Sequence, residues 1–230
     1  MTDTKAVLFD SGDTLIYPSG GEWLPGETFR QMLQDRNVAH DSEQLAEAHR
    51  VAFAELERDE SRCLSEDDEV ERFERYFRLL FDQMANPRLD PKLVQAVARA
   101  TVARLPVEIF PDTVPALERL RARGLRLGII SNGWPSLDRR YRELGLRHFF
   151  EVFVVSAHLG LRKPDPRIFE HAAAQLGLPP QEVVFVDDAA VNVEAACTAG
   201  FRGVLLARNG APIDSSSPWI WSLEQIDRFL

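Results

Sequence analysis

Short apolar runs alternate with amphipathic stretches through the second half of the chain. LRLGIIS at 125–131, EVFVVS at 151–156, EVVFVDD at 182–188 and RGVLLA at 202–207 are β-rich, and each predicts a strand. Between them, 113–123, 167–176 and 191–199 predict helices, and Gly124, Gly177 and Gly200 follow where a left-handed C-terminal cap belongs. AVLFD at 6–10 is a further strand of the same kind. It is cut off from the others by residues 17–108, where apolar side chains recur at helical spacing: Leu45, Ala48, Ala52 and Leu56, then Phe73, Phe77, Leu80 and Met84. The alternation predicts an α/β fold, a parallel sheet core flanked by helices at 1–16 and 109–230, with an α-helical domain inserted at 17–108.

Composition narrows the class without changing this architecture. The 230 residues are 45% hydrophobic and 27% charged, which excludes fibrous and fully disordered chains and allows a substantial apolar core. Cys63 and Cys197 lie far apart and predict free, buried thiols; no zinc pattern exists. The start MTDTKAVLFD is too acidic, and its apolar run too short, for a signal peptide, and no stretch approaches a membrane span, so a cytoplasmic protein without a membrane partner is expected. A formal charge of -9 disfavours nucleic acid. Residues 17–108 carry 12 basic and 19 acidic side chains, so most of the imbalance sits in the insertion. Its acidic run, Glu55, Glu57, Asp59, Glu60, Glu66, Asp67, Asp68 and Glu69, lacks calcium-loop spacing and contains Arg58 and Arg62, which fits a solvated helix face or loop. A polar loop, Asp214, Ser215, Ser216, Ser217 and Pro218, precedes a last short segment, WIWSLEQIDRFL.

Candidate chemistry follows from the rule that open parallel sheets bind ligands at the carboxyl ends of their strands. The first strand ends in Asp10, the second in Ser131 and Asn132, and the fourth in Asp187 and Asp188. Asp10 stands before Ser11, Gly12, Asp13 and Thr14, in a tight turn; it serves either as an Asx-turn residue or as a carboxylate nucleophile, with Gly12 letting its carbonyl approach a metal. Asp187 and Asp188 form a hard oxygen pair suited to Mg²⁺, and Asp188 and Asn192 fall on one side of a helix start. Lysine is scarce, only Lys5, Lys92 and Lys163 among 27 basic residues, so Lys163 within GLRKPDPRIF is either a surface lysine or a compact cation for a phosphate and a carboxylate together.

FDSGDTL at 9–15, IISNG at 129–133, LRKPDPRIF at 161–169 and FVDDAAVNVEAACTAG at 185–200 resemble, in order, the four motifs of the haloacid dehalogenase-like hydrolase superfamily. The helical insertion resembles the cap of the subfamily that includes small-molecule phosphatases, sugar phosphate mutases and 2-haloacid dehalogenases. The resemblance implies a Rossmann-like core and a Mg²⁺-dependent phosphatase acting on a small phosphorylated metabolite. In it Asp10 attacks phosphorus to form an aspartyl-phosphate, Ser131 and the backbone N–H of Asn132 hold the phosphoryl oxygens, and Lys163 offsets their charge. Asp188, Asp10 and the Gly12 carbonyl would be the metal ligands, Asp187 a direct or water-mediated one, and Asn192 and Thr14 would orient the metal shell.

The chain departs from the phosphatase pattern at Gly12, where an acid–base Asp usually stands; Asp13 does not obviously replace it. Loss of such help costs about 10²- to 10⁴-fold in rate. Dehalogenases of the family also lack that Asp but need no metal and lack paired carboxylates in the fourth motif, which makes a dehalogenase-like hydrolase the runner-up. A weakened scaffold that binds a phosphometabolite or a protein partner is a third reading. Phosphonate hydrolysis would need a cap lysine, and the insertion holds only Lys92. A cap closing over the strand ends implies a small substrate. Trp134, directly after the Ser131 loop, is a candidate substrate contact, and Tyr17, Trp23 and Arg30, Arg36 and Arg50 lie early in or near the cap, with Phe29 expected in the cap core. Trp219 and Trp221 are expected to pack the last segment, and the expected state is a monomer or homodimer.

Overall fold

A computed structural model describes residues 3–36, 38, 41–59, 61–84, 90–208, 210 and 217–230. Glu60 of the acidic run and Asp214, Ser215 and Ser216 of the polar loop lie outside the described residues. The chain divides into two compact units, Met1–Tyr17 with Ile109–Leu230, and Pro18–Glu108.

The first unit is built on a six-stranded sheet. Its elements in chain order are β1 (Ala6–Phe9) and, beyond the insertion, α5 (Thr113–Ala122), β4 (Arg126–Ser131), α6 (Ser136–Glu143), β5 (Val152–Val155), α7 (Ser156–Leu159), α8 (Pro166–Leu176), β6 (Val183–Asp187), α9 (Ala190–Thr198), β7 (Arg202–Leu206) and β8 (Trp219–Ile220). The strand order is β5-β4-β1-β6-β7-β8, and every pairing is parallel. β1 and β6 are buried along their whole length, as parallel strands covered on both faces must be, which is why their sequences are apolar up to the Asp187 that ends β6. One face packs Leu8, Ile130, Val154 and Phe185 against Ile168, Phe169 and Leu176 of α8. Gly177 closes α8 at φ +63°, a conformation that an L side chain adopts only with strain, and its N–H returns to the Ala173 and Ala174 carbonyls. From β1 the chain moves outward through β4 to β5, then returns past β1 to β6, β7 and β8, so the order reverses between β1 and β6. That is the switch point at which such sheets open a crevice beyond their carboxyl ends.

The second unit contains α1 (Gly26–Gln34), α2 (Ser42–Arg58), α3 (Glu66–Gln83) and α4 (Pro91–Arg104). All eight apolar positions singled out by spacing are buried, and Phe29 lies between Phe77 and Phe81, at ring-centroid distances of 5.6 and 5.5 Å. The acidic run is only partly a solvated face. Glu66, Asp67, Asp68 and Glu69 occupy the first turn of α3, where negative charge meets the positive end of the helix dipole, and Ser65 and Asp68 form a capping box. Glu69 is buried, and Asp59 pairs with Arg72 and Arg75. β2 (Ile16–Pro18) and β3 (Val107–Ile109) form a separate two-stranded sheet. Both cysteines are free, but only Cys63 is buried; Cys197 is exposed on α9, a position that the Ala-rich helix context did not reveal. Among the described residues, no helix is long and apolar enough to cross a membrane.

Candidate active site at the carboxyl edge of the sheet

Asp10 is the first residue past β1, and its N–H donates to the Val186 carbonyl at 2.8 Å, which fixes its backbone to the neighbouring strand. The side chains that close the switch point converge on it. Lys163 donates to Asp10 Oδ1 at 2.5 Å and to Asp187 Oδ2 at 2.6 Å, and its side chain is 1% exposed. It is therefore a buried cation spanning the ends of β1 and β6, not a surface lysine. Its backbone is set by Asn132, whose amide nitrogen donates to the Lys163 carbonyl at 2.9 Å and whose Oδ1 accepts the Lys163 N–H at 2.8 Å. This reciprocal pair ties the end of β4 to the segment before α8.

Asp187 is saturated by comparison. Its Oδ1 accepts from the Ala189 N–H at 2.8 Å, and the Asn192 amide donates to both oxygens at 3.1 Å. Asn192 thus orients Asp187, whereas spacing had placed it beside Asp188. Asp188, exposed at the next position, receives the Thr14 hydroxyl at 3.3 Å. One carboxylate oxygen from each of Asp10, Asp187 and Asp188 lies within 4.8 Å of the other two.

The electrostatics follow from three carboxylates sharing one ammonium. Burial pushes the Asp10 carboxyl up to about 7, with Lys163 pulling against the shift and Asp187 and Asp188 adding to it. Partial burial raises Asp188 to about 6, helped by the charges of Asp187 and Asp13. Burial alone would lower Lys163, but the charges of Asp10 and Asp187 outweigh it and hold the ammonium above its ordinary value. Hard oxygen donors at this spacing suit a small divalent cation.

A family model for haloacid dehalogenase-like hydrolases matches residues 4–200. The chain belongs to that family. This hydrolase is 35% identical over 213 residues to a glyceraldehyde 3-phosphate phosphatase of Methanopyrus kandleri, covering 89% of this chain and 84% of the relative. Among solved structures it is similar to a HAD phosphatase from Thermococcus onnurineus, with 25% identity, TM-score 0.66 and coverage of 98% and 97% of the two chains. It is also similar to a 2-haloacid dehalogenase from Pseudomonas syringae, with 25% identity, TM-score 0.70 and the same coverage.

The remaining residues singled out from the hydrolase sequence are placed as follows. Ser131 ends β4, buried, and Gly12 is half-buried and bridged to Ile16 in the turn after Asp10. Trp134 is half-buried between β4 and α6, and its carbonyl accepts from the Leu137 N–H. Arg30 pairs with Glu22, and Arg50 pairs with Glu47. Lys92 is exposed in the first turn of α4, Tyr17 packs on Phe110, and Trp219 and Trp221 pack on each other with Trp221 largely exposed.

Two contacts were missed. The Ser11 and Tyr141 hydroxyls, 130 residues apart in sequence, meet at 2.8 Å in a fully buried pair beside Asp10. Arg208 donates to the Thr14 carbonyl at 2.6 Å. The first had no signal in the sequence. The second had one, because Arg208 sits just past RGVLLA, at the strand-end position used to find Asp10 and Asp187.

Proposed function

We propose that this hydrolase is a Mg²⁺-dependent phosphatase of small phosphorylated metabolites, working through an aspartyl-phosphate on Asp10. The observation that carries the reading is the buried Lys163 bridge between Asp10 and Asp187, with Asp188 alongside. A phosphate dianion approaching this cluster would be repelled unless further positive charge were present, and the donor set fits Mg²⁺: hard oxygens only, within one small volume. Asp10 and Asp188 would hold the ion, with Gly12 contributing its carbonyl and Asp187, already engaged by Lys163 and Asn192, reaching it directly or through water. When bound, Mg²⁺ supplies charge neutralisation for nucleophile and phosphoryl group together.

The chain's own residues account for the other steps. An Asp10 oxygen attacks phosphorus, the P–O bond to the leaving group breaks, and the product alcohol departs with a proton from solvent. Water then attacks the phosphorus of the acyl phosphate, releasing inorganic phosphate and restoring Asp10. Lys163 holds Asp10 in place and keeps its ammonium beside the developing charge. The Ser131 hydroxyl and the Asn132 N–H cradle the phosphoryl oxygens, since the Asn132 side chain is occupied with Lys163. Trp134, just past the end of β4, borders the leaving group. The relative from Methanopyrus kandleri makes a triose phosphate the first substrate to test. Free cysteines fit a cytoplasmic setting.

Gly12 favours a second reading, carbon–halogen hydrolysis, because a halide leaves without a proton and needs no acid. The two readings separate in one experiment: phosphate release from p-nitrophenyl phosphate and glyceraldehyde 3-phosphate, with Mg²⁺ or chelator, for the native protein, Asp10→Asn and Gly12→Asp. Metal-dependent release that vanishes in Asp10→Asn is expected. Gly12 is not among the glycines at positive φ, and Gly12→Asp should be faster by up to about 10²-fold. No release by the native protein, together with halide release from 2-haloacids, would establish the dehalogenase. Neither activity, with melting temperature still raised by Mg²⁺ and beryllofluoride, would mean a binding scaffold.

A further inference from the structure

Arg208, two residues past β7, reaches back to the nucleophile loop in a way that catalysis as derived above does not use. Its two terminal nitrogens grip both carboxylate oxygens of Asp112 at 3.0 Å each, and one of them also donates to the Thr14 carbonyl at 2.6 Å. The guanidinium lies over the Phe110 ring, 3.8 Å from its centroid. Asp112 is held in turn by the Ser222 hydroxyl at 2.8 Å and the Leu223 N–H at 2.9 Å. The next carbonyl along, that of Leu15, accepts from the Phe110 N–H at 3.1 Å and the Thr113 hydroxyl at 2.8 Å. Two successive carbonyls of the nucleophile loop are therefore clamped by the 110–113 segment and its arginine.

Thr14 links this clamp to the site. Its side chain is fully buried, and its hydroxyl donates to Asp188, the exposed carboxylate of the cluster. Fixing the Thr14 carbonyl fixes its backbone, and with it the direction of the hydroxyl. The Arg208 Nε is buried without a partner among the described residues. Native proteins rarely leave such a donor unsatisfied, and here the fork is placed for its bonds to Asp112 and Thr14 at the expense of the third nitrogen.

We propose that Arg208, held by Asp112, is a positioning residue that sets the Thr14 hydroxyl on Asp188 and so tunes the site's affinity for Mg²⁺; the inference rests on the Mg²⁺-dependent reading above. Lysine could not reproduce it, because a single ammonium cannot hold both Asp112 oxygens and the Thr14 carbonyl in one plane. The test is calorimetric titration of metal-free protein with MgCl₂, with the kcat and KM of p-nitrophenyl phosphate hydrolysis measured alongside. Arg208→Lys and Asp112→Asn should each weaken Mg²⁺ binding by about 10-fold, in the range of residues that orient metal ligands, and lower kcat at subsaturating Mg²⁺ with KM unchanged. Thr14→Val should do the same, Thr14→Ser should restore native binding, and Arg208→Lys combined with Thr14→Val should bind no more weakly than Thr14→Val alone. Native binding in Arg208→Lys, or losses that multiply in the double variant, would overturn the inference while leaving the Mg²⁺ reading intact. A native protein that binds no Mg²⁺ would overturn both. Thr14→Val, which removes one hydroxyl without disturbing an ion pair, keeps the test decisive if Arg208→Lys does not fold.

Discussion

Lys163 in the sheet unit and Arg72 in the helical unit are both buried cations, and the two are used differently. Lys163 is 4% exposed and Arg72 5%. Arg72 distributes its donors over the Asp59 and Ser61 carbonyls at 3.3 and 2.9 Å and the Ser61 hydroxyl at 2.6 Å, with the Asp59 carboxylate at 3.4 Å. Most of these acceptors are neutral, and their effect is to pin the backbone beyond α2 to α3. Lys163 instead meets two carboxylates at 2.5 and 2.6 Å with a third close by, at the edge where β1 and β6 diverge. Burial of a charge does not mark a site by itself. An excess of one sign, gathered where the sheet opens, does.

Removing each cation should separate these roles. Lys163→Met leaves Asp10 and Asp187 facing each other without their shared ammonium, and kcat for p-nitrophenyl phosphate should fall by about 10²- to 10³-fold, comparable to loss of a donor that stabilises transition-state charge. Arg72→Met should leave kcat at its native value and lower unfolding stability in urea by about 3 kcal/mol, the lower end for breaking a buried pair, because Asp59 keeps some contact with water. A loss of kcat in Arg72→Met at a temperature where it is folded would erase the distinction between the two cations.

The sheet unit was legible because β1 and β6 are buried throughout and β4, β5 and β7 nearly so, which leaves apolar runs with polar residues only at their ends. β2, β3 and β8 escaped, since two or three residues carry no periodicity. α6 escaped because SLDRRYRE is nearly all polar, and its buried face includes Ser136 and Arg140 beside Leu137 and Tyr141. At the site, Asp10, Lys163 and Asp187 were legible from strand ends and from the rarity of lysine. What could not be read is the pairing among them. Asn192 engages Asp187 because that carboxylate points down into the start of α9, while Asp188 turns towards Thr14. The Arg208 clasp joins residues 96 and 194 positions apart, beyond any local pattern.

The smallest expected effect belongs to His49 of α2, whose Nδ1 lies 2.7 Å from the Tyr76 hydroxyl of α3. Burial lowers the His49 pKa from 6.5, Glu22 opposing it, and burial raises that of Tyr76. The phenol therefore stays protonated and shares a hydrogen bond with a ring whose neutral form burial favours. Because the folded value lies below the unfolded one, the unfolded chain takes up the proton first as pH falls. The stabilisation is complete above 6.5 and is lost as pH drops from there through the folded value. His49→Gln keeps a hydrogen-bonding partner for Tyr76 but cannot titrate. Between pH of about 8 and 5, the native melting temperature should fall further than that of His49→Gln, by on the order of 1 °C. Parallel melting curves would show that the charged ring forms the contact as well as the neutral one does. Unlike Lys163, His49 meets a single neutral hydroxyl, so its titration should register in the stability of the helices and leave the Mg²⁺ affinity of the carboxylate cluster unchanged.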